Sequence, residues 1–275
     1  MSLLTLGITG NTDRAGFAYD SGIVAAFSLS KIKTGATNCI DVRRASDNTV
    51  QTIGFAGGDL DTSALLSFCA GTDGFVSKWY SQDGSGNYAS QSTSSRQPKI
   101  VSSGTLEIVN GKAAMLFDGV NDKLDIFSPI SAEIGMSVFV IGKRLSSLTY
   151  GPIISTDNNS TYSPALFLPS SNNYYFYVVD QGYAASSSAY TTTAQEINSF
   201  LYPSSFTTTL HVNGTLISFG SMNSLSNTTD FKEIGSRTAN GEYTNGYIQE
   251  VLFYSTDQTS NRAAIETNRR NYFGF

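Results

Sequence analysis

The sequence predicts a mostly β protein, a sandwich of two antiparallel sheets, on three observations. After Gly104, short runs rich in β-branched and aromatic residues recur, each bounded by Gly, Asn, Asp, Pro or Ser. Between two of these runs stands Asn213-Gly214, the dipeptide that supplies the positive φ angles of a tight hairpin turn. Hydrophobic residues make up 40% of the 275 and charged residues 14%. One large core is therefore covered by Ser, Thr, Asn, Gln and Gly rather than by ions, and the length suits one sandwich as well as two smaller domains.

In chain order, residues 1–22 are rich in Gly, Thr and Asp without a sustained period, which predicts an extended arm able to attach to a neighbour. The globular domain is expected over residues 23–275. Asp61 is an N-cap for a short helix burying Leu65, Phe68 and Cys69 and stopping before Gly71. Strands are expected at 113–117, 136–141, 174–179, 207–212, 215–219 and 247–254. Tyr183–Tyr190 and Ser221–Asp230 read as surface loops. A closing helix follows Asp257, with Ala264, Ile265, Asn268 and Tyr272 near one face and a Glu266–Arg270 pair at i,i+4.

The net charge of −5, with no Lys/Arg run longer than a pair, argues against nucleic acid and anionic membranes as partners. No basic leader precedes the short apolar stretch at the start, and no apolar segment has the length of a membrane-spanning helix. Cys39 and Cys69 read as small buried hydrophobes, with a disulfide between them left open. The single His211 lies among apolar strand residues without a nucleophile motif, which reads as a strand histidine rather than a general base.

Three groupings carry candidate chemistry. Asp118, Asn121, Asp122 and Asp125 cluster within one turn, where they could offer oxygens to calcium, although Asp118-Gly119 also reads as a strand-ending turn. Tyr174-Tyr-Phe-Tyr places Tyr175 and Tyr177 on one face of a strand; with Asn172, Asn173 and Asp157 they form a candidate glycan site, the alternatives being sheet packing or an oligomer interface. Glu107, Asp180, Glu196 and Glu250 join these Asp residues as possible members of a hydrolytic carboxyl pair. Trp79 reads as a core anchor, with sugar stacking as its alternative.

Two longer stretches resemble known families. Ala26-Phe-Ser-Leu-Ser-Lys-Ile-Lys, Ile40–Phe55, Asp61–Phe68 and Gly74-Phe-Val-Ser-Lys-Trp-Tyr-Ser-Gln-Asp-Gly-Ser-Gly-Asn resemble the start of the arabinofuranosidase B catalytic domain, a block that recurs in bacteriophage virion proteins. Gly246–Asn268 is similar to the last strand and closing helix of laminin G-like domains in phage tail and fibre proteins, and with Ala113-Ala-Met-Leu-Phe-Asp-Gly-Val-Asn-Asp-Lys-Leu these blocks cover roughly half the chain after the arm. The resemblance implies a concanavalin A-like jelly-roll sandwich. The enzyme family carries its nucleophile in a segment of the type Phe-Asp-Tyr-Gly-Asn-Ala-Glu-Thr; here Asp157-Asn-Asn-Ser-Thr-Tyr lies in the comparable place without the Glu, and Trp79-Tyr-Ser-Gln-Asp-Gly moves a carboxylate to Asp83. The expectation drawn from these departures is a chain without enzymatic activity, a structural or adhesive component on the exterior of a phage particle. It would attach to other virion proteins through the arm, associate with itself, for example as a trimer, and bind host-surface polysaccharide. The alternatives are a glycan-binding module of a cell-surface or secreted protein and a glycosidase of arabinofuranosidase type.

Overall fold

The computed structural model describes residues 18–145, 151–156, 164–168, 175–178, 182–185, 193–203, 207–221 and 230–275. Chain order begins with β1 (Ile23–Ser28), β2 (Asn38–Arg44), β3 (Val50–Ala56), α1 (Thr62–Cys69), β4 (Gly74–Tyr80), β5 (Tyr88–Ser90) and β6 (Lys99–Ser102). Next come β7 (Met115–Asp118), β8 (Leu124–Ser131), β9 (Ser137–Arg144), β10 (Gly151–Ser155), β11 (Pro164–Leu168), β12 (Tyr175–Val178) and β13 (Gly182–Ala185). The chain ends with β14 (Gln195–Leu201), β15 (Thr207–Val212), β16 (Thr215–Ser221), β17 (Asp230–Ile234), β18 (Asn245–Tyr254) and α2 (Arg262–Phe273).

The strands form two antiparallel layers. In the first, β18 is central: β9 pairs along its whole length, while β1 and β7 share its other edge, and β14, β15 and β16 continue outward from β9. In the second, the order is β3–β2–β4–β5–β8–β17–β10–β11–β12–β13. Strand β6 pairs with both β4 and β7 and joins the layers. The predicted mostly β fold is thus present.

Alternation along each strand decides what the layers bury. Phe27, Val138, Val140, Phe200, Val251 and Phe253 face Val42, Val76, Trp79, Leu124, Ile126 and Phe231 across the main core. The intervening residues Ala26, Phe139, Ile141, Ile197, Leu252 and Tyr254 point the other way and are covered by Ile265, Tyr272 and Phe273 of α2. Each large side chain buried this way contributes about 1.5–3 kcal/mol relative to exposure. Beneath α2, Arg269 grips the buried Glu250 at 2.7 and 2.5 Å, and Ser28 donates to the same carboxylate at 2.6 Å.

The local signals resolve as follows. Asp61 caps α1 by accepting from the Ala64 amide at 2.9 Å. Asn213 and Gly214 take φ values of 50° and 85° in the turn between β15 and β16. Cys39 and Cys69 are unbonded, and burial raises both thiols above their usual range. Two expectations are corrected. Glu266 pairs with Arg262 at 2.6 Å and accepts from Ser199 at 2.7 Å, so the helix ion pair points toward its N-terminus rather than to Arg270. Tyr183 belongs to β13 rather than to a loop, because Gly182–Ala185 pairs with β12.

Candidate functional site

The carboxylates among the predicted calcium ligands are engaged within their own turn, and Asn121 Oδ1 is enclosed without a hydrogen-bond partner among the described residues. Asp118 ends β7 and spends its Oδ1 on the amides of Val120 and Asn121 at 2.8 and 3.2 Å, the pattern of a turn-forming Asp. Asp122 turns back and accepts from the Asp118 amide at 3.0 Å, and Asp125 pairs with Lys123 at 2.8 Å. Among the described residues no group of three His, Cys, Asp or Glu side chains could hold a metal ion. Asp122 is nevertheless unusual: burial, then the charge of Asp118, pushes its carboxyl up to about 7.

Tyr175 and Tyr177 lie in β12 opposite Phe167 and Ala165 of β11. Their side chains, like Asn172, Asn173 and Asp157, lie outside the described residues. Trp79 is fully buried 5.8 Å from Phe27, as expected of a core anchor. His211 is buried opposite Ser199, on the face of β14 and β15 that α2 covers, and burial lowers its pKa. Glu250 and Glu107 are used structurally, by Arg269 and by the Tyr247 hydroxyl at 3.0 Å.

A different set of polar groups gathers at one end of the sandwich, where β9 finishes and β14 and β18 begin. Arg144 lies opposite Gly246 at the start of β18. It faces Glu196 at 3.8 Å, and both are almost fully buried. Two residues along β14, Asn198 shares a face with the core residues Val140 and Val212 opposite it, yet it is a polar side chain exposed by only 1%. Neither its amide nitrogen nor its oxygen has a hydrogen-bond partner among the described residues. An unpaired buried amide is costly, so an Asn in this place marks a position that a polar group from outside the chain would satisfy.

The hairpin that feeds β18 adds a carboxyl to the same end. Ser236 and Arg237 pair with Tyr243 and Glu242, and Gly235 and Thr244 tie the hairpin to the backbone of β10. Arg237 approaches Glu242 at 3.7 Å. Burial raises the pKa of Glu242 despite that cation, and its Oε2 is enclosed without a hydrogen-bond partner. Near the hairpin root, Glu233 is fully buried, accepting from Lys123 at 3.0 Å, Ser236 at 2.9 Å and the Thr238 amide at 2.8 Å, which fixes the loop. Thr156 and Thr238 place further enclosed hydroxyls there. Chemically, this end offers a carboxyl whose pKa burial raises, a carboxylate beside an arginine, and an amide able to meet a hydroxyl.

Only Glu196 of this group was legible as a candidate in the sequence. Strand register and a hairpin place Arg144, Asn198, Arg237 and Glu242 toward this end, and no local spacing announces them.

No protein-family model and no curated protein matches the chain. Solved structures do. A GH54 α-L-arabinofuranosidase soaked with a cyclic sulfate inhibitor superposes with a TM-score of 0.69 at 16% identity, over 90% of this chain and 62% of that one. An arabinofuranosidase complexed with arabinofuranosyl-α-1,2-xylobiose gives 0.66 at 16% identity, over 91% of this chain and 63% of that one. A more distant match, an HCR/D mutant, gives 0.50 at 11% identity over 86% of this chain and 51% of the other. The chain therefore spans under two thirds of the arabinofuranosidases it resembles, and what the likeness shows is a shared sandwich fold. It also corrects the expectation of a chain without enzymatic activity. The architecture shared over nine tenths of the chain is one that glycosidases adopt, so the fold gives no ground for that expectation; Asp157 itself lies outside the described residues.

Proposed function

We propose that this chain is a carbohydrate-active domain that hydrolyses a glycosidic linkage of arabinofuranosyl type, with Glu242 as the proton donor. The observation that carries the reading is Glu242 itself. It is a carboxyl whose burial favours the protonated form, held at the polar end of a sandwich whose structural neighbours are arabinofuranosidases. Glycoside cleavage is assisted by a carboxylic acid that gives its proton to the leaving oxygen, and a pKa raised by burial moves Glu242 in the direction that role needs. As the glycosidic C–O bond breaks, water adds to the anomeric carbon and gives its proton to the Glu196 carboxylate, which Arg144 orients, while a sugar hydroxyl satisfies Asn198.

The test is hydrolysis of 4-nitrophenyl α-L-arabinofuranoside and of arabinan by the whole chain, beside Glu242→Gln. The expected result is release of arabinose by the native chain and a loss of roughly 10²–10⁴-fold in kcat on arabinan for the variant. The loss should be smaller on the nitrophenyl glycoside, whose leaving group needs less help. Activity that is unchanged in Glu242→Gln would overturn the assignment, and absence of hydrolysis on both substrates would overturn the activity.

Placement on the outside of a phage particle, with self-association and attachment through residues 1–22, is a compatible second reading. It is supported by the two sequence blocks similar to virion proteins and the weakly charged composition. Mass spectrometry of salt-washed particles tests it: a stoichiometric copy number supports it and absence from particles contradicts it.

A further inference from the structure

The outward face of the second layer carries a feature that the polar end does not use. Cross-strand register puts Tyr80 of β4 opposite Tyr88 of β5, and the pairing of Ile126 with Ala89 sets Phe127 of β8 beside Tyr88. Neighbouring strands are about 4.8 Å apart, so these rings form one transverse row. Phe127 stacks on Tyr88 with centroids 4.7 Å apart and planes 15° from parallel. On the strand at the other side, the Lys78 ammonium sits 4.6 Å from the Tyr88 centroid, so Tyr88 is covered on both faces.

Among the described residues, Phe127 is stacked on only one. Beyond it the pairing of β8 with β17 breaks, with the register shifting between Asp125 and Ile130, so none of the described residues of β17 pairs across from Phe127. Phe127 is 67% exposed as a result, and that face opens on a hollow of about 530 Å³. The hollow is amphipathic: Pro129 and Met136 line it together with Ser85, Ser128, Ser131 and Glu133. Its rim is pinned, because Asn87 donates to the Ser128 carbonyl at 2.8 Å and accepts from the Ser128 amide at 2.9 Å. No Lys or Arg lines it, and one carboxylate does, which selects against anionic ligands.

We propose that the open face of Phe127 is a second sugar subsite, which stacks one ring of a neutral glycan chain while its hydroxyls meet Ser128, Ser131 and Glu133. A flat ring with an apolar C–H face and a polar edge matches both the phenyl face and the hydroxyl-lined wall, and a volume of this size accommodates a small ligand. The subsite lies apart from Glu242 and rests on the reading that the domain handles carbohydrate. Its role is to hold a polymer.

The experiment is affinity electrophoresis of the whole chain in gels containing arabinan, xylan, dextran or anionic polygalacturonate, comparing native protein with Phe127→Ala, Phe127→Trp and Glu242→Gln. Native protein is expected to be retarded by at least one neutral polysaccharide and not by polygalacturonate. Phe127→Ala should weaken that retardation about tenfold, the scale of one lost ring contact. Phe127→Trp and Glu242→Gln should retain it. Because Phe127 is exposed, the melting temperature of Phe127→Ala should stay within about 2 °C of native, separating lost binding from misfolding. Hydrolysis of the nitrophenyl glycoside should be unchanged in Phe127→Ala while KM for the polymer rises. Equal retardation of native and Phe127→Ala overturns the subsite, as does retardation by polygalacturonate alone. So does a dimer in sedimentation velocity that Phe127→Ala dissociates without any change in glycan binding. Loss of hydrolysis with Phe127-dependent binding intact would count against the catalytic reading alone.

Discussion

Asp122 shows how burial of one side chain couples stability to pH. Its neighbours Asp118, Asn121 and Asp125 are legible as an oxygen-rich cluster. The carboxylates are spent on turn amides and on Lys123, because short polar side chains next to a strand end bind the nearest backbone donors. Burial then raises the Asp122 carboxyl to about 7, against an unfolded value near 3.9. The native state therefore holds a proton that the unfolded chain releases at lower pH. This contribution to stability is complete below about pH 4 and lost as pH rises through about 7. His211 acts in the opposite sense, since its lowered pKa removes stability as pH falls below the unfolded value near 6.5. Comparing Asp122→Asn with native protein cancels the histidine. Urea denaturation should show that native protein loses more stability than Asp122→Asn between pH 5.5 and 7.5; parallel pH profiles would refute the assignment.

At the scale of elements, the most legible features were those specified by neighbours in sequence. The Asp61 cap, the Asn213-Gly214 turn and the β-branched and aromatic runs of β9, β15 and β18 each follow from a few adjacent residues. The hairpin that carries Glu242 was not legible, because it is fixed by contacts with β10 and β7 far away in sequence. Gly235 is the critical residue there. It has φ of 84°, and a Cβ at this position would lie 2.2 Å from the ring of Phe117 in β7. Gly235→Ala should therefore combine backbone strain with a core clash and cost about 3 kcal/mol or more, read as a lower urea midpoint with hydrolysis lost in step. A variant of native stability would show that the hairpin is not packed this way. The outward row was legible in principle: Phe127 shares the phase of Lys123 and Asp125, opposite to Leu124 and Ile126, which marks an aromatic ring on the exposed face.

Across the whole molecule, α2 closes the first layer through one buried ion pair as well as through apolar contact. Arg269 and Glu250 are both nearly inaccessible, so removing one partner strands the other. Arg269→Ala should cost about 3–5 kcal/mol, whereas Arg270→Ala, near the helix end, should cost little. Thermal melting checks this, and equal effects would mean that the helix is held by its apolar face alone. The mostly β architecture was legible because strand composition and turn residues agree with it over most of the chain. The polar end was not, because Arg144, Asn198 and Glu242 belong to three segments that only the completed sandwich brings to one end.

The most direct measurement is a crystal structure of Glu242→Gln soaked with an arabino-oligosaccharide. A sugar ring is expected at the polar end, with a hydroxyl on Asn198, its glycosidic oxygen facing residue 242, and Arg144 and Glu196 beside it. A crystal saturated with ligand in which that end stays empty, or in which sugar binds only at Phe127, would contradict the proposed hydrolysis.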